Sequence, residues 1–458
     1  MTEREFAIDV VRKLRQAGFT ACWAGGCVRD ELLGLTPDDY DVATDARPEQ
    51  IRPLFRRTIE LGVAFGVVEV IGPRDNPDGL LKVQVATFRS DLAYVDGRRP
   101  EGVVFSSPEE DAKRRDFTIN GMFFDPLENR LIDYVGGRAD LEAKVLRAIG
   151  EPHERFREDK LRLLRAVRLA TRFSLNVEPV TAAAIREMAG EIKKGVSAER
   201  IAGELRKVLV HPRRADAVRL MDELGLVPPI LPEIETEMKG LPQGLPAAPT
   251  GDLWQHVLKV LEMLQGPTWP GPEPVSFPLA FAALLHDIGK RRTQGRTPEK
   301  YTFHGHEHMG REIAARICLR LKLSNAERER IEWLVEKHQY LCDAPTMRLS
   351  KLKTILAHPG IGELLALHRA DSVASGRSTE HLEFCERLLR ELPPSELDPE
   401  PLITGEDVMA LGLPPGPVFK QILATVREAQ LEGTARTKEE AMALVNRALA
   451  ERTDISPQ

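Results

Sequence analysis

The sequence predicts an α+β multidomain fold. A small mixed β-sheet head covers residues 1–150, an all-α neck 151–235, a helical module 252–389 and a helical tail 400–458. Three observations predict it. Short β-rich runs alternate with helical signals up to Gly150. Beyond Leu141 strand signals vanish and a helical period dominates. Proline-rich stretches then divide the helical part. At 458 residues the chain is long enough for several cores, since one domain takes roughly 150.

Phe6, Val10 and Leu14 recur every four residues, an amphipathic helix that Gly18 ends. Strand signals follow at Ala21–Trp23, Tyr40–Ala43, Val67–Ile71, Lys82–Phe88, Phe117–Phe124 and Leu131–Tyr134. The run Glu158–Arg168 reads as one strong helix. Residues 228–251 hold six prolines and three glycines without a steady period, which predicts a linker. Pro-rich loops at 266–278 and 392–401 follow, and no internal repeat is visible.

Composition excludes several classes. Apolar residues are 42% and charged residues 29%, so the chain can bury a core and is not a disordered tail. The longest apolar run, around Phe277–Leu285, is far shorter than the ~20 residues of a membrane span. Acids at Glu3 and Glu5 do not suit a signal peptide. Five cysteines without a C-x-x-C pair argue against a disulfide framework or a cysteine zinc site, and suit a reducing cytoplasm. Net charge of −6 excludes a global basic field, but basic residues cluster. Residues 155–172 and 193–214 each carry seven Lys/Arg against two acids, a basic face that includes Arg206, Lys207, Arg213 and Arg214.

Four motifs carry chemistry in the head and neck. Gly25-Gly26 follows a predicted strand and opens a short helix, so backbone N–H groups can approach a phosphate. Asp39 and Asp41 alternate along a predicted strand and therefore share a face. Two such carboxylates repel unless a cation lies between them, and Mg²⁺ beside substrate phosphates is the expected occupant. In Arg114-Arg115-Asp116-Phe117-Thr118-Ile119-Asn120, Arg115 can hold a triphosphate, and Asp116 and Asn120 a sugar. In the helix from Glu158, Asp159 and Arg162 share a face, and Arg165, Arg168 and Arg172 extend a basic stripe. Intrahelical salt bridging is the competing reading of that stripe.

Together these motifs resemble the class II nucleotidyltransferases: bacterial CCA-adding tRNA nucleotidyltransferases, A-adding enzymes and bacterial poly(A) polymerases. The pattern Gly-Gly-x-Val-Arg-Asp-x-x-Leu-Gly spans Gly25 to Gly34. The D-x-D, the Arg-Arg-Asp-Phe-Thr-Ile-Asn block and the Glu-Asp-x-x-Arg segment follow in the family's order. The resemblance implies a polymerase β-like palm. It implies Asp39 and Asp41 as catalytic metal ligands, and Gly26 and Arg29 as nucleotide contacts. It further implies Arg115 on the phosphates, Asp159 and Arg162 on the base, and Arg165 and Arg168 assisting. An Asp/Arg pair can accept C and A, which both present an amino donor beside a ring acceptor, and reject U and G, which reverse the order. The family's flexible loop corresponds to the segment between Phe88 and Ser107, where Asp91 is a candidate third carboxylate.

The helical module carries a second pattern: His256, His286-Asp287, then His304, His306 and His308, then His338 and Asp371. Imidazole and carboxylate ligands suit a divalent transition metal or Mg²⁺. The order resembles the HD phosphohydrolases, and implies His256, His286, Asp287, His306, His338 and Asp371 as ligands. His306 is chosen from its cluster for its spacing to Gly310. The resulting expectation is template-independent CCA addition to tRNA from CTP and ATP with Mg²⁺. A-adding and poly(A)-polymerase activities share the head motifs. A reading from another class makes the HD module the main activity, and a third makes the chain an RNA-binding scaffold. The oligomeric state is not legible.

Overall fold

A computed structural model describes residues 1–62, 66–73, 79–91, 103–245, 248–297 and 299–453. The chain divides into two compact units, Met1–Glu235 and Thr236–Gln458.

The first unit is built on a mixed seven-stranded sheet. Its strands, with two others, are β1 Ala21–Ala24, β2 Asp41–Thr44, β3 Thr58–Gly62, β4 Val67–Ile71, β5 Lys82–Thr87, β6 Arg89–Asp91, β7 Val103–Phe105, β8 Phe123–Asp125 and β9 Arg130–Ile132. The sheet order is β3-β4-β5-β2-β1-β8-β9, and β6 pairs β7 separately. Only β2 and β5 run parallel, with Asp41 opposite Gln84. Central β1 is buried throughout, as its sequence Ala-Cys-Trp-Ala requires. Helix Glu3–Gln16 begins on a Thr2/Glu5 capping box and buries Phe6, Val10 and Leu14.

Four expectations are corrected. The run Phe117–Phe124 is a strand only in its last two residues. Before it, Thr118–Asn120 form a 3-10 turn, held by Asp116 accepting the Phe117 N–H and by Thr118 donating to Asp140. In Leu131–Tyr134 the strand stops at Ile132, because Asp133 accepts the N–H groups of Val135, Gly137 and Arg138. Local side-chain acceptors here outcompete the ladder. Strands do not vanish after Leu141: Val145–Leu146 pairs with Asn176–Val177, and Gly295–Arg296 with Tyr301–Thr302. The 228–251 segment is no linker. It holds helices Val227–Ile230 and Pro232–Glu237, whose prolines occupy opening turns, and a hairpin of Pro242–Leu245 with Ala248–Asp252.

The neck helices Arg162–Phe173, Ala198–Leu209 and Arg214–Glu223 pack together within the first unit. In the second unit, helices Leu253–Met263, Phe277–Leu285, His306–Arg320, Asn325–Lys337 and Ile361–Ala374 form the module. Helices Pro417–Glu432 and Lys438–Thr453 follow, with Ile403, Val408, Ile422, Val426, Ala441 and Val445 as a core of their own. Among the described residues no helix is long and apolar enough to cross a membrane.

Candidate active site and metal centre

One cleft of about 700 Å³ in the first unit is lined by the motif residues Gly25, Gly26, Arg29, Asp39, Asp41, Arg115, Asp116, Asn120, Asp159, Arg162, Arg165 and Arg168, and of the basic face only Lys207 among Arg206, Lys207, Arg213 and Arg214 reaches it. The glycine turn is a steric requirement. Gly25 has φ +77°, and a Cβ there would lie 2.8 Å from Arg115 Nη1. Its N–H donates to Met122 O, tying the turn to the sheet edge, and helix Gly26–Leu32 starts immediately after.

Asp41 opens β2, but Asp39 precedes the strand, which corrects the expectation that both lie on it. The ladder begins at Asp41 because its partner β5 first pairs there, opposite Gln84. Burial, and then the charge of Asp39, push Asp41 up to about 6 against the pull of Arg115. Neither carboxylate has a hydrogen-bond or ion-pair partner among the described residues. Two unpaired carboxylates with one raised in this way fit a divalent cation. Asp91 closes β6, but its side chain and residues 92–102 lie outside the described residues.

The guanidiniums are held by acids, of which Asp111 was not singled out from the sequence. Asp111, buried, accepts from Arg115 Nε at 3.2 Å and Nη2 at 3.0 Å, and from Arg114 at 2.8 Å. Burial raises its pKa, but the two guanidiniums outweigh it and the net shift is downward. The signal was present: Asp111 stands three and four residues before Arg114 and Arg115. Arg29 is buried, forks onto Asp30 Oδ1 at 2.7–2.8 Å and stacks on Phe173 at 4.1 Å. Its Nη1 donates to Asn120 Oδ1 at 2.5 Å, and Asn120 Nδ2 to Asp116 Oδ1 at 3.1 Å. Asp116 Oδ2 accepts Arg165 Nε and Nη2 at 2.8 and 2.6 Å. Asp116 and Asn120, expected at the sugar, line the cleft and are also links in a chain that sets Arg29 and Arg165. Arg168 is likewise engaged, donating to Glu204 at 2.7 Å.

The Asp159/Arg162 reading needs correction. Residues 158–168 are not one helix. Helix Pro152–Glu158 ends at Asp159, whose backbone is extended (φ −147°, ψ 103°), and the next begins at Arg162. Asp159 Oδ1 accepts the Leu161 N–H, a local bond that breaks the helix and starts the next. The two side chains do not pair. Asp159 Oδ2 accepts Arg200 Nη2 at 2.6 Å, while Arg162 donates to Glu158 at 2.5 Å and to the carbonyls of Arg155 and Arg114. Both still line the cleft, together with Arg200. Arg214, read as part of the basic face, is buried and donates to Leu209 O.

The second unit brings its six chosen residues together. Their ligand atoms form two groups, His256/His286/Asp371 and Asp287/His306/His338, each within 4.8 Å. Asp287 stands between them: Oδ1 lies 3.3 and 3.4 Å from His306 and His338 Nε2, and Oδ2 3.2 and 3.6 Å from His286 and His256 Nε2. His286, His306 and His338 each sit at a helix end and turn Nδ1 onto the carbonyl three residues back, at 2.7–2.8 Å. That bond fixes the Nδ1–H tautomer and leaves the Nε2 lone pairs facing the cluster. Of the neighbouring histidines, His304 and His308 are exposed. Gly289 is essential to the approach, since a Cβ would lie 2.2 Å from His306 O and 2.6 Å from Gly310 N. Burial drags on His286, but Asp287 outweighs it and raises its pKa; in His338 burial prevails and lowers it. Buried His256 Nε2, His286 Nε2 and Asp287 Oδ1 have no hydrogen-bond partner, which fits metal ligands. Sequence reasoning foresaw one set of six ligands; the structure divides it into two threes. Lys290, which the sequence reading did not use, places Nζ 2.6 Å from Asp287 Oδ2.

Comparison with known proteins matches both the head and the helical module. Residues 21–147 match the poly A polymerase head domain, 174–238 the probable RNA and SrmB-binding site of polymerase A, and 253–374 the HD domain. The A-adding tRNA nucleotidyltransferase of Deinococcus radiodurans is 34% identical over 93% of this chain and 95% of its own length. The CCA-adding enzyme of Bacillus subtilis is 42% identical over 44% of this chain, and the match spans about half (49%) of that relative. The crystal structure of the Bacillus stearothermophilus CCA-adding enzyme in complex with CTP superposes over 99% of this chain and 100% of that one, with a TM-score of 0.72 and 26% identity. A mixed-sheet head with paired carboxylates, a basic neck and an HD module, matched along nearly its whole length, places the chain in the tRNA nucleotidyltransferase and poly(A) polymerase family.

Proposed function

We propose that the protein extends tRNA 3′ ends without a nucleic acid template, adding CCA from CTP and ATP and releasing pyrophosphate. One observation carries this reading: two unpartnered carboxylates, Asp39 and Asp41, on the wall of a cleft otherwise rich in guanidiniums. Asp39 and Asp41 would hold Mg²⁺, which supplies charge to activate the attacking 3′-hydroxyl and to stabilise the departing pyrophosphate. Arg115, braced by Asp111, and the start of helix Gly26–Leu32 offer donors to the triphosphate. The Asp116/Arg165 and Arg29/Asn120 links hold two further guanidiniums in fixed orientations on the cleft wall. Asp159, with a guanidinium beside it, offers the acceptor-and-donor edge that C and A match and U and G do not.

We assign the head to residues 1–150, the neck to 151–235, the HD module to 252–389 and the tail to 400–458. The protein acts in the cytoplasm in this reading. The HD module would hold divalent transition metal on His256, His286, Asp287, His306, His338 and Asp371, and hydrolyse phosphate esters as a second activity. A specific observation favours one alternative, addition of A alone: the relative matched along nearly its whole length is named an A-adding enzyme. The test is to incubate tRNAs ending at the discriminator base, at C and at CC with each labelled nucleoside triphosphate and Mg²⁺. Arrest after CCA with CTP and ATP supports the main reading. Extension only of tRNA ending in CC, with ATP alone, supports the alternative. A long A ladder supports a poly(A) polymerase, and no incorporation refutes all three.

A further inference from the structure

A second pocket opens beside the catalytic cleft, at the junction of helices Arg162–Phe173, Ala198–Leu209 and Arg214–Glu223. It has a volume of about 330 Å³. Arg168, Arg172 and Lys207 line both the pocket and the cleft, so one row of cations runs from one into the other. The remaining wall is different in kind. Val208, Val210, Pro212 and Ala217 make it apolar, and Thr171 and His211 add single polar groups. No carboxylate lines it, whereas Asp30, Asp38, Asp39, Asp41, Asp116 and Asp159 line the cleft.

His211 has a defined state. Its Nδ1 accepts the Arg213 N–H at 3.2 Å, so in the neutral ring Nε2 carries the proton. Burial, with Arg172, Arg213 and Arg214 nearby, lowers its pKa and keeps the ring neutral at pH 7. The pocket therefore offers a flat neutral ring with one donor, an apolar floor of Val208 and Ala217, and cations at its mouth. Such a slot suits a ligand with an aromatic face, ring acceptors and phosphates along one edge.

We propose that this pocket receives the base of the penultimate nucleotide of the RNA strand being extended, while its terminal 3′-hydroxyl lies at Asp39 and Asp41. The proposal rests on the polymerising role argued above and adds a primer subsite to it. The shared cations decide the occupant. A strand whose phosphates follow Arg172 and Lys207 out of the cleft is led into this pocket, and a triphosphate held on the cleft's arginines is not. His211 presents its ring face for the base to stack on, and Arg168 and Arg172 flank its phosphate.

The test uses the full-length protein and a tRNA ending in the first C, with 2-aminopurine at the discriminator position. Binding to wild-type protein quenches the fluorophore by stacking. In His211→Ala the quench is lost, and KM for this tRNA rises roughly tenfold, the scale of one base stack. KM for CTP stays within about twofold, because the triphosphate does not touch the pocket. Ala217→Leu, which fills the floor, gives the same pattern, and far-ultraviolet dichroism reports whether each variant is folded. An unchanged quench in folded His211→Ala overturns the subsite. A rise in KM for CTP with that for tRNA unchanged also overturns it, and assigns the pocket to the incoming nucleotide. Wild-type protein that neither extends nor binds this tRNA refutes the polymerising role itself, a result distinct from either.

Discussion

Asp116→Asn keeps the shape of a buried side chain and removes its charge. In the wild type Asp116 is 8% exposed and accepts four hydrogen bonds: two from Arg165, one from Asn120 and one from the Phe117 N–H. Burial alone would raise its pKa, but Arg165, Asn120 and Arg162 overcome it and hold the carboxyl well below the usual range. Breaking a buried pair from one side costs about 3–5 kcal/mol. The Arg165 side chain is 35% exposed and can turn partly to water, so the loss falls to about 2–3 kcal/mol. With a urea dependence of about 2–3 kcal/mol per molar, the unfolding midpoint of the first unit drops by roughly 1 M at pH 7. The sign of the pH effect follows from the depressed pKa. The stabilisation is complete above the unfolded carboxylate value of about 3.9, and is lost as pH falls towards the folded value. The gap between wild type and variant is therefore constant from about pH 7 to 5 and narrows below about pH 4. Urea melts followed by tryptophan fluorescence at pH 7, 5 and 3.5 measure it. Equal midpoints at pH 7, or a gap that widens on acidification, would refute the reasoning.

Asp39→Asn and Asp41→Asn each lower nucleotide incorporation by several powers of ten while leaving tRNA affinity near wild type, checked by single-turnover incorporation and filter binding; near-normal turnover removes both from the metal site. Gly25→Ala forces a Cβ to within 2.8 Å of Arg115 and strains a φ of +77°, so KM for CTP and ATP rises about tenfold or more while the HD module keeps its metal. Arg200→Ala frees Asp159 from its 2.6 Å partner and relaxes the choice against UTP as much as Arg162→Ala does, read from the CTP/UTP ratio of kcat/KM; unchanged discrimination shows that Arg200 only holds the fold. His286→Ala/Asp287→Ala removes bound transition metal, measured by elemental analysis, and leaves nucleotide addition intact; loss of addition in the folded variant would join the two activities.

The residue chemistry of both sites was legible because it is carried by short motifs whose members stand close in the chain. Gly25-Gly26, Asp39/Asp41 and His286-Asp287 need only local geometry to bring their atoms together. The alternation of short β-rich runs and helices likewise identified the mixed head, since buried β1 and amphipathic Glu3–Gln16 each declare their period. Element ends were less legible. At Asp116, Asp133 and Asp159 a side chain captures a nearby backbone N–H, and periodicity carries no trace of that competition. Prolines in 228–251 suggested a linker, yet Pro228, Pro229 and Pro232 occupy helix openings and Pro242 and Pro249 stand in hairpin strands.

What the sequence alone determined was which residues are candidates for chemistry. Partnership was decided by the tertiary structure. Asp159 and Arg162 are three apart in sequence, yet Asp159 pairs with Arg200, 41 residues on, because the helix breaks between them. Arg168 meets Glu204 and Arg165 meets Asp116 only because the neck helices pack against each other and the head. The six HD residues could be named from their order, but their division into two groups around the two oxygens of Asp287 depends on helix ends converging at Gly289. Local motifs specify donor atoms; long-range packing sets the ångström-scale distances on which pairing, metal binding and charge compensation depend.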